Sequence, residues 1–309
     1  MSRCVLLLNR ASGGNQRGLD ADEVCRATEK IFRREGHEIT SIQISSDDLE
    51  QELKRIVADA PDILLIGGGD GSVSAAARCL GGTQIALGIL PLGTFNLAAR
   101  DLGVPLEIEA AANFLATAGT FSIDVLDVSG HACLCTTILG FYPEFANFFE
   151  SRDHGGRWWK KSIKLLSNFR SSFLKAHSLV LTWDSDSGGG TARTKFSAFV
   201  PGRYKNAAGL IPERTHFCSG TLTAYIGTHS KTASLLRGVF DFALGRQEEN
   251  PDLQLVTASR MSLRAARRAS CRVMMDGEIF RLRFPIDLTI RPSYLKVLAS
   301  PEITVTSEP

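Results

Sequence analysis

The sequence lacks several features that would assign it to a familiar class at once. Its 309 residues contain no run close to the roughly 18 apolar residues that a membrane-spanning helix requires. The apolar run that begins at Cys4 ends at Leu8, which is too short for the apolar core of a signal peptide. A formal net charge of +2 gives no overall basic character of the kind that binds nucleic acid. These absences predict a cytoplasmic protein without a nucleic-acid partner.

The cysteines and histidines also lack the spacing of common metal sites. The chain has seven cysteines but no Cys-x-x-Cys pair, and none of its six histidines has a partner at metal-binding spacing. Cys133 and Cys135 are expected on one face of a strand as buried thiols, with a metal pair as the alternative. This cysteine usage is typical of a reducing compartment.

What the sequence does contain is a regular alternation of strand and helix patterns in its first 120 or so residues. Apolar strands are predicted over 4–9, 38–44, 62–66 and 84–90. Helices are predicted over 22–34, 46–57, 73–80, 95–102 and 108–117. Such strand–helix units imply a parallel sheet covered by helices on both faces, with ligands bound at the carboxyl ends of the strands.

The most informative stretch follows the third predicted strand and reads Gly67-Gly68-Gly69-Asp70-Gly71-Ser72. Its glycines let the backbone approach a bulky anion, and a helix that opens at Ser72 adds unpaired N–H groups and a positive dipole end. Asp70 would repel a phosphate there, so it needs a metal ion or a proton-acceptor role. The lysine of a P-loop is missing, and Ser72 replaces the last glycine of the dinucleotide fingerprint.

Two other loops are predicted at the same edge of the sheet, over 9–14 and 91–96. Both offer small residues, hydroxyls or an amide, which hydrogen-bond phosphate oxygens without bulk. Each loop taken alone could be an ordinary turn. Three of them at one edge predict a phosphate-binding site.

The ordered set of motifs resembles the diacylglycerol kinase catalytic domain, a family that includes bacterial lipid kinases, sphingosine and ceramide kinases and, more distantly, NAD kinases. Four segments carry the resemblance: Asn9 with Ser12-Gly13, Gly67 to Ser72, Leu90 to Asn96 with Ala99-Arg100, and Asp276-Gly277-Glu278. The similarity spans nearly the whole chain.

The resemblance implies a two-domain fold. A Rossmann-like α/β nucleotide-binding domain with a parallel sheet would cover residues 1–123 and be completed by about 290–309. A larger, mainly antiparallel β-sandwich-like domain with helical insertions would cover residues 124–289 and bind a lipid substrate. The strand patterns of the second half fit such a sandwich, and its final strand is expected to rejoin the first domain.

The resemblance also implies an activity and a set of site residues. The activity is ATP-dependent phosphorylation of a lipid hydroxyl with Mg²⁺. Catalytic roles fall to Asp70, Asp276 and Glu278, with Asp70 and Glu278 as metal ligands, directly or through water. Asp276 is the first candidate for the general base and Asp70 its rival. Nucleotide-binding roles fall to Asn9, Ser12, Gly13, Gly67, Gly68, Gly69, Gly71, Ser72, Gly93, Thr94 and Asn96.

Local pattern alone does not decide whether the Asp276-Gly277 pair lies on a strand or in a turn. On a regular strand Asp276 and Glu278 would share a face, whereas the Asp-Gly pair is also typical of a plain hairpin turn. Without the resemblance, the turn is the favoured interpretation.

Two positions depart from the family pattern. Leu97 follows Asn96 where many relatives carry an acidic residue, and Cys218 lies in the stretch before Gly220 where many relatives carry an acid that helps to hold a structural Mg²⁺. The second departure puts that structural ion in doubt. Neither affects Asp70, Asp276 or Glu278.

The stretch from Arg157 to Lys175 divides its charge in an unusual way. It contains no acidic residue, and on a helix its aromatic and aliphatic side chains fill one half while most basic side chains fill the other. This pattern suits a helix at a membrane interface. A helix packed on the sandwich with a solvated basic face is the alternative.

Two further clusters have both functional and plain structural interpretations. An aromatic run would line an acyl-chain pocket or belong to the core: Phe141, Tyr142, Phe145, Phe148 and Phe149. A basic block would contact ATP phosphates or anionic lipid, or form a solvated strand face: Arg260, Arg264, Arg267, Arg268 and Arg272.

The expected function is therefore a cytoplasmic lipid kinase with ATP and Mg²⁺ as cofactors and peripheral contact with the inner membrane surface. An NAD-kinase-like enzyme acting on a soluble nucleotide is one alternative, and a lipid- or nucleotide-binding module with little activity is another. The lipid and the oligomeric state stay open, a homodimer included.

Overall fold

The computed structural model describes residues 1–10, 20–93, 96–140, 178–204, 214, 217–228, 241, 246 and 249–300. Its first part alternates strands and helices as expected. The strands are β1 (Arg3–Asn9), β2 (Glu38–Ile44), β3 (Ile63–Gly68) and β4 (Ala86–Pro91). The helices are α1 (Ala21–Arg34), α2 (Leu49–Asp59), α3 (Asp70–Leu80), α4 (Leu97–Asp101) and α5 (Ile108–Thr117), and a short 3₁₀ helix, Ser46–Asp48, precedes α2.

Local sequence explains how these helices form. In α1, the Asp20 side chain accepts a hydrogen bond from the Asp22 N–H at the helix start, and Val24, Ile31 and Phe32 place a buried stripe on one face. Strands β1, β3 and β4 are apolar on both faces, and every residue of β3 and β4 is buried. Continuous burial of this kind is expected of parallel strands covered by helices on both sides.

The four strands form a parallel sheet in the order β2-β1-β3-β4. Helix α1 packs with α5, and α2 packs with α3. The chain leaves β1 toward β2 and leaves β3 toward β4, in opposite directions across the sheet. Such a reversal opens a crevice at the carboxyl ends of the two central strands, which is where ligands bind in this class of sheet.

The elements that the structure describes after α5 are strands. They are β5 (Gly119–Val128), β6 (His131–Cys133), β7 (Thr137–Gly140), β8 (Leu179–Ser185), β9 (Gly190–Thr194), β10 (Phe196–Pro201), β11 (Leu222–Gly227), β12 (Leu253–Ala258), β13 (Arg260–Ala265), β14 (Ser270–Met275), β15 (Glu278–Arg283) and β16 (Ile286–Ala299). Six of them form an antiparallel sheet in the order β12-β11-β10-β7-β14-β15.

The 14-residue strand β16 joins the two parts of the molecule. Near its end Val297 pairs in parallel with Leu87 of β4, whereas its beginning pairs antiparallel with β13, which continues the sheet into β8 and β9. Strand β5 pairs antiparallel with β16 along nearly its whole length. The final strand thus pairs with the parallel sheet, and the assignment of residues 290–309 to the first domain stays a prediction.

The antiparallel strands enclose a core of their own. Leu181 and Leu263 from one sheet and Phe199 and Ile226 from the other belong to a single buried cluster. A second cluster fills the space between the parallel sheet and its helices. The predicted fold class, an α/β part followed by a mainly antiparallel sandwich, is confirmed. The boundaries near residues 123 and 290 stay predictions.

Three local predictions need correction. Helix α3 begins at Asp70 rather than Ser72, because Gly69 takes the cap position with an extended backbone. Cys133 ends β6 and Cys135 lies beyond it, so the two buried thiols do not share a strand face but belong to different core clusters. The polar stretch from Asp184 to Gly190 predicts a hairpin between strands over 177–183 and 193–200, whereas in the structure it joins β8 to β9, which begins at Gly190.

Two predicted features lie outside the described residues. They are the stretch from Arg157 to Lys175 and the aromatic run that begins at Phe141. In the described part of the chain, no helix is long and apolar enough to cross a bilayer.

Candidate active site

The crevice between β1 and β3 is lined by a small hydrogen-bond network that fixes the β3–α3 loop. Asn9, the last residue of β1, is buried and donates from Nδ2 to Ser72 Oγ (3.0 Å) and to Ser46 Oγ (3.2 Å). Ser72 lies in the first turn of α3. Asn9 therefore ties the beginning of α3 to the 3₁₀ helix before α2.

The third loop is held in place by Asn96. Its Oδ1 accepts a hydrogen bond from the Gly93 N–H (2.8 Å), and its Nδ2 donates to the Gly93 carbonyl (2.9 Å). Asn96 adopts a left-handed backbone (φ +51°), a conformation that asparagine tolerates better than most residues. A Cβ at Gly93 would lie only 2.7 Å from Gly69 Cα, so the second and third loops touch through their backbones.

Asp70 links these two loops through its side chain. Its Oδ2 accepts from the Asn96 N–H (3.1 Å) and its Oδ1 from the Leu97 N–H (2.8 Å), which caps the start of α4. Partial burial raises the pKa of Asp70, the two backbone hydrogen bonds oppose that rise, and the nearby Asp276 adds to it. Leu97, one of the two departures from the family pattern, contributes through its backbone.

Asp276 lies at the tip of the β14–β15 hairpin, in a turn with positive φ at Asp276 (+48°) and at Gly277 (+91°). The side chain is 4 % exposed. It accepts hydrogen bonds from five donors: the N–H groups of Leu134 (2.7 Å), Cys135 (2.8 Å) and Thr136 (3.0 Å), Ser74 Oγ (3.0 Å) and Cys133 Sγ (3.2 Å). A carboxylate offers about four lone-pair sites, so these donors saturate Asp276.

The same hairpin presents Glu278 to the glycine-rich loop. The Glu278 carboxylate occupies the space that a Cβ at Gly71 would need, and a Cβ at Gly277 would lie 3.9 Å from Asp70 Cβ. Glu278 Oε2 is 3.9 Å from Nη1 of Arg78, and its side chain is 44 % exposed. Burial raises the pKa of Glu278 and the Arg78 charge opposes that rise.

These residues surround an open cleft of about 430 Å³. The cleft is lined by Asn9, Ser46, Asp47, Leu49, Glu50, Gly69, Gly71, Ser72, Ala75, Arg78 and Glu278. Three of the lining side chains, those of Asp47, Glu50 and Glu278, are carboxylates, and Arg78 is the basic residue of the lining. The backbone N–H groups at the start of α3 can donate hydrogen bonds to a phosphate. The carboxylates would repel a phosphate unless a cation is bound between them.

The structure brings together most of the predicted site residues. Asn9, the glycines of the β3–α3 loop, Ser72, Gly93 and Asn96 meet at one sheet edge, and the β14–β15 turn adds Asp276 and Glu278 from more than 200 residues further along the chain. Ser12, Gly13 and Thr94 lie outside the described residues.

Sequence reasoning missed Ser46, Ser74 and Arg78. A periodicity argument could have found Arg78, because residues 71, 75 and 78 fall on one face of α3 at i, i+4 and i+7. No comparable signal marked Ser74, whose partner is 202 positions away in the chain.

The carboxylate oxygens of Asp70 and Glu278 fit the preference of Mg²⁺ for oxygen ligands. Asp70 and Glu278 adjoin the same glycine loop, and Mg²⁺ needs only one or two carboxylates when water and phosphate oxygens complete its shell. Among the described residues, no group of three or more Asp, Glu, His or Cys side chains forms a ready-made metal cage. A bound Mg²⁺ would therefore depend on the phosphates that accompany it.

The second departure from the family pattern has a structural counterpart. The Cys218 thiol donates to the Ser122 carbonyl (2.8 Å), and the neighbouring Gly220 N–H donates to Asp124 Oδ2 (2.6 Å). The other oxygen of Asp124 accepts from the Ser293 N–H (2.9 Å). A protonated thiol is not the oxygen ligand that Mg²⁺ prefers, so the side chain at position 218 does not fit a structural Mg²⁺ there.

Fold and site together define a class: a doubly wound α/β protein with a glycine-rich loop at its switch point, completed by carboxylates from a β-sandwich. Residues 3–128 match the model of the diacylglycerol kinase catalytic domain, so this part of the chain is similar to that family.

Individual relatives agree with the family match. A diacylglycerol kinase of Mycobacterium tuberculosis (strain ATCC 25618 / H37Rv) is 42% identical over 79 residues, which are 25% of this chain and 26% of the relative. A probable lipid kinase YegS-like of Pseudomonas aeruginosa (strain PAO1) is 34% identical over 145 residues, 45% of this chain and 44% of the relative. The chain thus matches between a quarter and half of the length of these two relatives.

A solved structure extends the comparison of the fold to the whole chain. A putative diacylglycerol kinase from Bacillus anthracis str. Sterne superposes with a TM-score of 0.74 at 17% identity, covering 97% of this chain and 98% of that one. At this identity the likeness concerns the fold.

Proposed function

We propose that the protein is a lipid kinase that transfers the γ-phosphoryl group of ATP to a lipid hydroxyl with Mg²⁺. One observation carries the proposal: Gly69, Gly71 and Ser72 at the start of α3 line a single open cleft together with the carboxylate of Glu278. The hairpin turn that carries Glu278 also approaches Asp70, since a Cβ at Gly277 would lie 3.9 Å from Asp70 Cβ. Phosphoryl transfer needs this combination, because catalysis depends mostly on positioning and on neutralising the transferred charge.

The α3 start would bind the phosphates. Its first N–H groups have no intrahelical partner and lie at the positive end of the helix dipole, so they can donate to phosphate oxygens. Glycine at positions 69 and 71 leaves the backbone open to a bulky group. Asn9 and Ser72 hold this loop to the end of β1.

Glu278, and Asp70 through water, would hold the Mg²⁺. When bound, the ion would neutralise charge on the phosphates and fix their orientation. Burial raises the pKa of both carboxyl groups, so each gains from a cation beside it. Arg78 supplies part of that positive charge to Glu278.

The hydroxyl proton of the acceptor needs a base, and the hydrogen bonds favour Asp70 over Asp276. Each oxygen of Asp70 accepts one backbone N–H and keeps a second lone pair. Asp276 accepts five donors, which suits a residue that positions the hairpin. We therefore assign the base to Asp70 and a positioning role to Asp276.

The lipid acceptor is proposed from the relatives, which carry the names diacylglycerol kinase and probable lipid kinase. A transfer assay with radiolabelled ATP and Mg²⁺ tests it when diacylglycerol, a sphingoid base, phosphatidylglycerol and NAD are offered separately. We expect the label in an organic-phase lipid product and none after Mg²⁺ is chelated. Label in NAD alone would contradict the lipid acceptor, and nucleotide binding without any transfer would contradict the kinase.

A further inference from the structure

The outer face of the β14–β15 hairpin carries a group of arginines that the proposed chemistry does not use. Arg272 of β14 pairs directly with Arg281 of β15, and Arg283 lies two residues further along β15. Residues that pair across two strands share a face, as do alternate residues of one strand. All three side chains are exposed. In the part of the chain that the structure describes, none of them forms an ion pair.

Ile279 lies on the same face, two residues before Arg281. Its exposed fraction is 43 %, and within the described ranges only Met1 is another large hydrophobic residue that is classed as exposed. The exposed residues of this face, called the arginine face (Arg272, Ile279, Arg281 and Arg283), therefore combine three positive charges with one apolar side chain, whereas Met274 opposite Ile279 is buried. Ile279, at one end of this face, lies two residues after Gly277 of the turn that reaches the cleft.

Protection of a sheet edge does not explain this arrangement. β15 is the edge strand, and charged residues on an edge strand discourage pairing with another molecule. Arg272, however, belongs to β14, which has neighbours on both sides. Like charges directly opposite each other on a sheet destabilise it, so the Arg272–Arg281 pair has a cost that edge protection does not require.

We propose that the arginine face docks on an anionic phospholipid bilayer, with the arginines at the headgroups and Ile279 in the interface. This inference rests on the proposed lipid kinase function, since a kinase with a membrane substrate needs its cleft near the bilayer. Basic side chains around an exposed apolar residue match the charge and polarity of such a surface. An anionic surface also relieves the repulsion between Arg272 and Arg281.

The test is co-sedimentation with vesicles of phosphatidylcholine that contain about one third phosphatidylglycerol. The variant is Arg272→Gln with Arg281→Gln. The matched control is Arg260→Gln with Arg264→Gln, which removes two exposed arginines from β13, on the outer face of the opposite sheet of the sandwich. Both variants lose two positive charges, so an effect of net charge alone would appear in both.

We expect the hairpin variant to bind the vesicles roughly 25-fold more weakly than wild type, about fivefold for each arginine. The control should change binding little, pure phosphatidylcholine vesicles should bind little protein, and added salt should weaken wild-type binding. The hairpin variant should unfold at the same temperature as wild type or a higher one, because its like-charge pair is removed.

Three results would overturn the proposal. They are unchanged vesicle binding by the hairpin variant, an equal loss of vesicle binding in the control, and a protein that binds a nucleic-acid duplex through these arginines but does not bind vesicles. Binding is measured without ATP, so the outcome is independent of catalysis. The proposed function is checked separately with a water-soluble short-chain lipid, which the hairpin variant should phosphorylate as fast as wild type.

Discussion

The Asp276 carboxylate connects three segments that are far apart in the sequence. It joins the tip of the β14–β15 hairpin to Ser74 of α3 and to the backbone of residues 134–136. Because a saturated buried carboxylate fixes all the groups that donate to it, Asp276 holds Glu278 at the mouth of the cleft. Asp276 therefore fixes the geometry of the site, although hydrogen bonds occupy its two oxygens and keep them from contacting a substrate.

We predict that Asp276→Asn destabilises the protein by about 2–4 kcal/mol, because an amide NH₂ would face backbone N–H groups that then lose their acceptor. The measurement is urea unfolding of the purified variant. Asp287→Asn serves as the control, since Asp287 is exposed on β16, and it should leave the unfolding midpoint unchanged. Equal stability of Asp276→Asn and wild type would contradict the positioning role.

For individual residues, the sequence predicted which residues belong to the candidate site better than it predicted their roles. The motifs that carry the family resemblance pointed to Asn9, Asp70, Asn96 and Glu278, all of which the structure brings to one region. Which carboxylate is saturated with donors depends on contacts from α3 and residues 133–136, and no local pattern encodes those contacts.

Among the elements, the β3–α3 loop and the loop after β4 depend on each other. Their backbones meet at Gly69 and Gly93, and the Asp70 side chain caps α4 from the first turn of α3. The approach at Gly93 leaves no room for a side chain: an added Cβ would lie 2.7 Å from Gly69 Cα and 2.8 Å from Asn96 Oδ1.

We therefore predict that Gly93→Ala separates the two loops and destabilises the protein by about 1–3 kcal/mol, the usual range for overpacking. Differential scanning calorimetry measures the loss. The matched control is Gly69→Ala on the facing loop, where the nearest atom would lie at an ordinary 3.7 Å. If both variants melt at the same temperature, the close approach at Gly93 does not matter for stability.

Element types were well predicted from periodicity, and their ends less well. Ser72 suggested the start of α3 because serine is a favoured cap residue, yet the structure caps the helix with Gly69 and places Asp70 in the first turn. The hydroxyl of Ser72 instead accepts from Asn9, a partner 63 positions away. Local preference could not anticipate that competing contact.

At the scale of the whole molecule, a buried ion pair joins α4 to Arg214, which forms an isolated β-bridge with Tyr204 beyond the end of β10. Arg214 donates from Nε to Asp101 Oδ2 of α4 at 2.8 Å, and the two side chains are only 1 % and 7 % exposed. The guanidinium also lies 4.5 Å from the centre of the Phe217 ring. Removing one member of a buried ion pair takes away a charge that offsets the desolvation of the other.

We predict that Arg214→Leu costs about 3–5 kcal/mol of unfolding free energy, because the Asp101 carboxylate stays buried without this partner. Denaturant unfolding measures the loss. As a control, Arg55→Leu removes an exposed arginine paired with Glu52 at 3.6 Å and should cost less than about 0.5 kcal/mol. Similar costs for the two variants would show that the buried pair stabilises the protein no more than an exposed pair does.

The fold class followed from sequence because strand–helix alternation leaves few arrangements of the strands in a sheet. The Arg214–Asp101 pair was beyond prediction, since its members are 113 positions apart and neither lies in a recognisable motif.

The central claim is that the cleft between α3 and the β14–β15 turn transfers a phosphoryl group. It is tested most directly by transfer of labelled γ-phosphate from Mg-ATP to lipid, with wild type, Glu278→Gln and Glu109→Gln compared. Glu278 is half-exposed with a loose ion pair, so its variant should fold normally, and Glu109 lies on α5, which packs with α1 rather than with α2 and α3. We expect Glu278→Gln to lose activity by on the order of 100-fold and Glu109→Gln to keep it. Wild-type rates from Glu278→Gln would contradict the account.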